Sequence, residues 1–264
     1  MKIGIFDSGI GGITVLKYLR ANYSDHEFHY FGDTANVPYG TKSVTQILDL
    51  SSSAASRIKA KDLDCLIVAC NTASSLALEA IRSILSPVPV LGVVEAGVQS
   101  VCSVLVEEEA PRSVLILGTR ATIQSHIYKK LLDFAVPEIR VIEQECPLLV
   151  PMIEEGWVNH PILAQTVEEY VRGVAGEPPG IALLGCTHYP WIRHQFQRAL
   201  PGWKIIDSAE AISELACREL KLVKGQAGAG NVTWRFSDPN GVAQFIFEAS
   251  GFEAAAEFKK IQKF

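Results

Sequence analysis

Residues 181–190 read IALLGCTHYP, and residues 65–74 read CLIVACNTAS. Each is an apolar run that ends in a cysteine and passes at once into small polar residues. Uninterrupted apolar runs suit strands covered on both faces of a parallel sheet, where no residue need face water. Working outward, KIGIF (2–6), EFHYF (27–31), DCLIVA (64–69), VPVLGV (88–93), SVLIL (113–117), IRVIE (139–143), IALLG (181–185), WKIID (203–207) and VTWRF (232–236) read as strands. Stretches of helical period lie between them at 12–21, 43–60, 72–85, 120–134, 161–174 and 208–220. Strands alternating with helices predict an α/β fold with open, mostly parallel sheets.

The pattern carries an internal echo. KIGIF runs into Asp7-Ser8-Gly9, with Cys70 further on; SVLIL runs into Gly118-Thr119-Arg120, with Cys186 further on at a similar spacing. A polar turn followed by a strand-end cysteine in each half suggests a duplicated α/β unit. Polar strand ends are common in any α/β protein, so an unduplicated chain is the alternative. KGQAGAGN (224–231) and GEPPG (176–180) read as loops, and the tail EFKKIQKF reads as a solvated helix end.

The chain as a whole narrows the function classes. Its 264 residues suffice for one large domain or two smaller ones, each with its own core. Hydrophobic residues make up 48% and charged residues 20%, an ordinary globular balance. The net charge of −5 is mild and no basic tract is present, which argues against a nucleic-acid partner. The start, MKIGIFDSG, is too short in apolar residues for a signal peptide, and no run approaches the roughly 18–20 residues of a membrane span. A cytoplasmic protein with no membrane partner is expected. There the six cysteines stay reduced, and none forms the CxxC pair of a zinc ribbon or thioredoxin.

In open parallel sheets, ligands gather beyond the carboxyl ends of the strands. Cys70 and Cys186 both fall there, where the positive end of a following helix would favour thiolate. Asn71, Thr72 and Thr187 beside them suit capping or anion contact. Most unpaired cysteines simply pack, and that reading is kept for Cys65, Cys102, Cys146 and Cys217. The loop FDSGIGG (6–12) lacks the third glycine of a dinucleotide fingerprint and has no Walker lysine. Its glycines suit close approach of backbone to a small ligand, with Asp7 and Ser8 turned inward. GDTANVPYGTKS (32–43) offers Tyr39 and Gly40, and His188 is a titratable ring two positions after a strand-end thiol.

Two thiols on opposite walls of one cleft suggest a definite chemistry. Inverting a carbon centre by proton transfer needs a base on one face and an acid on the other. A thiolate and a thiol meet that need symmetrically, because they exchange roles in the reverse reaction. No lysine stands out for a pyridoxal phosphate Schiff base, so no cofactor is expected, and no metal.

FDSGIGG, VPYGTKS (37–43), VACNTAS (68–74), GVVEAG (92–97), LGTRATIQS (117–125), CPLLVPMIEEG (146–156) and LGCTHYP (184–190) together resemble the bacterial glutamate racemases, within the aspartate/glutamate racemase superfamily. The motifs occur in family order and span roughly residues 3–210. The resemblance implies two similar α/β domains, with open, mostly parallel sheets, facing each other across a central cleft. Boundaries are expected at 1–94 plus 207–264 for the first domain and 95–206 for the second. It implies a cofactor-independent isomerase that interconverts L- and D-glutamate and supplies D-glutamate for peptidoglycan, hence for cell-wall biogenesis and cell shape. By that analogy Cys70 acts on the D-enantiomer and Cys186 on the L-enantiomer, with Asp7 and His188 as polar helpers. Ser8, Tyr39, Gly40, Asn71, Thr72, Thr119 and Thr187 would hold the substrate. Glu154 matches a further acidic position, but its neighbour Glu155 leaves the alignment ambiguous by one residue. The expected partner is the small-molecule substrate, with a homodimer left open.

Other readings remain at this point. A superfamily isomerase or decarboxylase could act on a different acid. A two-lobed binding protein shares the architecture, though the paired thiols count against it. Metal binding by Cys70, Cys186 and His188 lacks a fourth ligand.

Overall fold

The structure, a computed structural model, describes residues 1–23, 25–59, 61–107, 113–222, 231–241 and 261–263. Among the described residues ten strands form two sheets: β1 Lys2–Asp7, β2 Glu27–Gly32, β3 Cys65–Val68, β4 Val90–Gly92, β5 Ser113–Gly118, β6 Arg140–Glu145, β7 Ile181–Gly185, β8 Lys204–Asp207, β9 Val232–Phe236 and β10 Ile261–Lys263. The first sheet runs β10-β9-β2-β1-β3-β4 and the second β6-β5-β7-β8. Every pairing among the described strands is parallel. The order β2-β1-β3-β4 is repeated as β6-β5-β7-β8, so the internal echo reflects two units of one topology.

Eleven α-helices connect the described strands: α1 Ile13–Asn22, α2 Val44–Lys59, α3 Asn71–Leu76, α4 Leu78–Leu85, α5 Val93–Glu107, α6 Arg120–Gln124, α7 Ile127–Ala135, α8 Leu149–Glu154, α9 Pro161–Val171, α10 Arg193–Ala199 and α11 Ser208–Leu220. None among the described residues is long and apolar enough to cross a membrane.

Period-two alternation sends each strand's side chains to two cores. Ile3 and Ile5, Phe28 and Tyr30, and Cys65 and Ile67 pack with α1 and α11, whereas Phe6, Phe31, Leu66 and Val68 pack with α2 and α4. In the second sheet Leu115, Leu117, Ala182 and Leu184 meet α8, α9 and α10, while Val114, Ile116, Ile181 and Leu183 meet α5 and α7. Helix α5 serves both units: Val93 and Ala96 join the first core, and Val94, Val98 and Val101 join the second. The sheets are thereby packed through a shared layer.

Several boundaries differ from the sequence expectation. The stretch 72–85 is two helices that part at Ala77 (φ −125°, ψ 3°), although backbone hydrogen bonds run through the break. The change of direction lets Asn71–Ser74 stay buried beside the gap between the sheets while Leu78, Ile81 and Leu85 face the α2 core. The stretch 120–134 breaks at His126, which is left-handed at φ 54°. Ser125 Oγ accepts from Ile127 N and restarts the helix there, without a glycine to mark the site. Helix α9 ends at Val171, and 172–174 form a 3-10 turn. In the tail expected to be a helix end, residues 261–263 are instead strand β10, paired with β9; the expectation missed it because a three-residue edge strand has no period to read. Helices α5, α8 and α10 were not expected as separate elements. Residues 176–180 form a loop as expected; the glycine-containing stretch 224–231 lies outside the described residues except for Asn231.

Trp234 is fully buried in an aromatic group with Tyr30 (5.4 Å between ring centroids) and Phe236 (6.3 Å). Trp234→Ala should lower stability by about 3–5 kcal/mol, through lost transfer energy and the cavity left behind. Denaturant unfolding checks this, and a loss under about 1 kcal/mol would show that β9 is not a core strand.

Candidate active site

In each unit the chain leaves its first strand for a neighbour on one side and then crosses to the other side. Connections after β1 and β3, and after β5 and β7, therefore diverge and leave a crevice at the strands' carboxyl ends. The two crevices face each other. A narrow cavity between them is lined by Ser8, Tyr39, Gly40, Cys70, Asn71, Thr72, Thr119, Cys186, Thr187 and His188, together with Val37, Pro38 and Val150. The residues singled out in the sequence thus converge from both sheets. Asp7 and Glu154 stand directly behind the lining, bonded to Thr187 and His188. A more open hollow, edged by Lys17, Trp191 and Arg193, contains neither thiol.

Cys70 caps α3, accepting from Ala73 N at 3.5 Å, and its thiol donates to Ser8 Oγ at 3.3 Å. Helix-end polarity favours thiolate, as expected from sequence, but other forces outweigh it. Burial, followed by the neighbouring Asp7 carboxylate, pushes the thiol up to about 12; the Ser8 and Ala73 contacts offset only part. At neutral pH Cys70 is a protonated acid.

Cys186 does not cap an α-helix, contrary to expectation. Turn residues follow it, then a 3-10 segment, Tyr189–Ile192, with Pro190 near its start; α10 begins only at Arg193. The compensating group is His188, whose Nδ1 lies 3.9 Å from Cys186 Sγ and whose Nε2 lies 3.0 Å from Glu154 Oε1. Burial, the largest single effect, opposes a charged ring, but Cys186 and Glu154 together outweigh it and raise His188 to about 10. The arrangement is an imidazolium held between a sulfur and a carboxylate. It also separates the two glutamates that sequence left ambiguous: Glu154 faces His188, and Glu155 is exposed.

The remaining polar groups tie the two units together. Asp7, fully buried, accepts from Gly9 N at 2.9 Å and from Thr187 Oγ1 at 3.3 Å. Burial raises its pKa, against the effects of His188 and these donors. Thr72, Thr119 and Thr122 form a triangle of hydroxyls 3.0–3.2 Å apart, with Thr72 from the first unit and the others from the second. Tyr39 donates to Asp33 at 2.7 Å, which holds the 33–41 loop over the cavity. Asn71, which lines the cavity, is held through its amide on both sides: Oδ1 accepts from Tyr128 at 2.6 Å, and Nδ2 donates to Ser208 at 3.2 Å. Sequence reasoning missed Asp33, Thr122, Tyr128 and Ser208. Asp33 sat inside a quoted loop and Thr122 one helical turn after Thr119, so a signal existed for both. Tyr128 and Ser208 arrive from distant elements and left none.

Contact between the units explains Gly11 in the first loop and Gly40 in the second. A Cβ on Gly11 would lie 2.2 Å from Thr187 Oγ1 and 2.5 Å from His188 Nδ1. One on Gly40 would lie 2.5 Å from Thr119 Cβ.

Two α/β units of one topology, with a polar cavity at both switch points, define an enzyme fold whose site is shared by its halves. Residues 14–216 match the Asp/Glu/Hydantoin racemase family. A glutamate racemase of Sulfurihydrogenibium sp. (strain YO3AOP1) is 41% identical over 215 residues, 81% of each chain. One of Aquifex aeolicus is 40% identical over 238 residues, covering 90% of this chain and 89% of that protein. The crystal structure of glutamate racemase from Francisella tularensis in complex with D-glutamate superposes with a TM-score of 0.83 at 30% identity, over 99% of this chain and 95% of that one. The chain belongs to the Asp/Glu/Hydantoin racemase family and is a racemase, an isomerase.

Gly11→Ala should displace His188 and Thr187 and lower turnover at least about tenfold, since small misplacements of reacting groups are costly. Thermal unfolding beside steady-state rates checks this; full activity in the variant would show that the close approach is not required.

Proposed function

We propose that the protein is a cofactor-independent glutamate racemase in which Cys70 and Cys186 exchange protons with opposite faces of the substrate's Cα. The observation that carries the reading is that both strand-end thiols, one from each sheet, line one cavity in unequal electrostatic surroundings. Cys186 lies beside an imidazolium, while Cys70 retains its proton. By this reading Cys186 serves as base and Cys70 as acid in one direction, and they exchange roles in the other.

In one direction the Cys186 thiolate takes the α-proton, so the Cα–H bond breaks as an S–H bond forms. The Cys70 thiol then gives its proton to the opposite face and becomes thiolate, held by Ser8 and Ala73 N. The reverse reaction restores both sulfurs. Family analogy assigns Cys186 to L-glutamate and Cys70 to D-glutamate. Asp7 keeps Cys70 protonated and anchors Thr187, and Glu154 keeps His188 charged. The hydroxyls of Ser8, Thr72, Thr119 and Thr187, with Tyr39 and the backbone at Gly40 and Asn71, supply donors for two carboxylates. In the free enzyme the threonine hydroxyls satisfy one another, so a bound carboxylate exchanges those bonds instead of leaving donors unpaired.

Glutamate as substrate is supported by the relatives named above, among them one whose structure holds D-glutamate. With that substrate the product would serve peptidoglycan synthesis in the cytoplasm. Strand membership supports a first unit holding β1–β4 with β9 and β10 and a second holding β5–β8, close to the division into 1–94 with 207–264 and 95–206, except that Asp207 ends β8 and so goes with the second.

Cys70→Ala and Cys186→Ala should each lower racemisation at least about 10³-fold, in the range of lost acid–base catalysis. Circular dichroism of L- and D-glutamate without added cofactor measures this, and the wild-type product formed in D₂O should carry deuterium at Cα. Full activity in either variant ends the two-thiol reading. Glu154→Gln removes one of the effects that raise His188. Because the ring is charged below about 10 and neutral above, the alkaline limb of the rate profile should move to lower pH. An unmoved limb would separate Glu154 from catalysis.

A further inference from the structure

Tyr128 touches neither the cavity nor either sulfur, yet it spans the backbone beside both. The hydroxyl end of its ring lies between Gly185 and Gly97: a Cβ on Gly185 would lie 3.3 Å from Cε2, and one on Gly97 3.3 Å from Cε1. Gly185 ends β7 and immediately precedes Cys186. The hydroxyl that those two carbons flank donates to Asn71 Oδ1 at 2.6 Å, and Asn71 immediately follows Cys70. The Asn71 amide is held from its other side by Ser208 Oγ at 3.2 Å, at the start of α11. Tyr128, Asn71 and Ser208 are 1%, 2% and 0% exposed, so water does not compete for these bonds.

We infer that Tyr128 is a positioning residue that sets the separation of Cys70 and Cys186 through a rigid bridge from Gly185 to Asn71. This rests on the two-thiol reading above. A phenol has only two side-chain torsions, and its hydroxyl end is confined here by Gly97, Gly185 and Asn71, so the spacing it imposes is stiff. Burial, followed by the nearby Cys186, pushes its pKa far above the usual phenol range, so the hydroxyl remains a donor throughout the cycle. The Asn71 side chain, which sequence assigned to substrate, is by this account part of the same bridge.

A spacing device and a satisfied core hydrogen bond predict different kinetics. Once the α-proton has left, the carbanion is either protonated by the opposite thiol, giving inversion, or reprotonated on the original face. In D₂O, return after solvent exchange appears as α-hydrogen washout with retained configuration. Moving the opposite thiol away raises washout relative to inversion, whereas a general loss of folded enzyme lowers both alike.

Tyr128→Phe keeps the ring and removes the bridge. Racemisation turnover should fall on the order of tenfold, with KM within about twofold and the washout-to-inversion ratio raised at least about threefold. The ratio is read by proton NMR of each enantiomer in D₂O beside circular dichroism. Ser208→Ala, which frees the other side of Asn71, should shift the ratio the same way. It carries the test if the phenylalanine variant does not fold. A ratio unchanged from wild type, whatever happens to the absolute rates, overturns the inference. That failure is distinct from failure of the two-thiol reading, which would appear as racemisation retained by the cysteine variants of otherwise native enzyme.

Discussion

Thr187 carries the contact on which the cleft depends. Its hydroxyl donates to Asp7 at the end of β1, and its carbonyl accepts from Thr14 Oγ1 in α1 at 3.0 Å. The loop after β7 is thus attached to the loop after β1 by two buried hydrogen bonds. A buried carboxylate that lost its donors would be strongly penalised, so the halves are held in one relative placement. Gly11 and Gly40 make that placement sterically possible, and α5 packs against both sheets behind it.

From this constraint follows an electrostatic inequality between two sulfurs that topology makes equivalent. Cys70 and Cys186 follow corresponding strands, β3 and β7, of repeated units. Cys70 has a buried carboxylate as neighbour and keeps its proton; Cys186 has a charged imidazole, itself supported by Glu154. The repeat places the sulfurs, while nonequivalent neighbours set their charge. Identical surroundings would give both sulfurs the same protonation state, which suits an acid–base pair poorly.

Much of this was legible in the chain. The unbroken apolar runs LIV at 66–68 and IALL at 181–184 needed covering on both faces, and that alone implies parallel sheets with helices on each side. Strand-end placement marked Cys70 and Cys186, and the motif glycines marked a close approach. Local irregularities were not legible. The breaks at Ala77 and His126 come from packing demands of the two units and from a serine acting as a cap, and β10 is held only by its pairing with β9. The two side-chain partners of Asn71, Tyr128 and Ser208, were not legible because they lie 57 and 137 positions away.

By itself, the order of residues determined the layered α/β class and suggested the repeat, because these depend on periodicity and on which residue types end each strand; membership of the polar cluster rested in part on the resemblance to a known family. Tertiary structure alone decided which glutamate meets His188, which charged neighbour each thiol has, and which side chains tie the two units together. Those properties depend on burial and on distances of a few ångströms between elements remote in sequence, and electrostatic free energies in a low-dielectric interior change steeply over such distances.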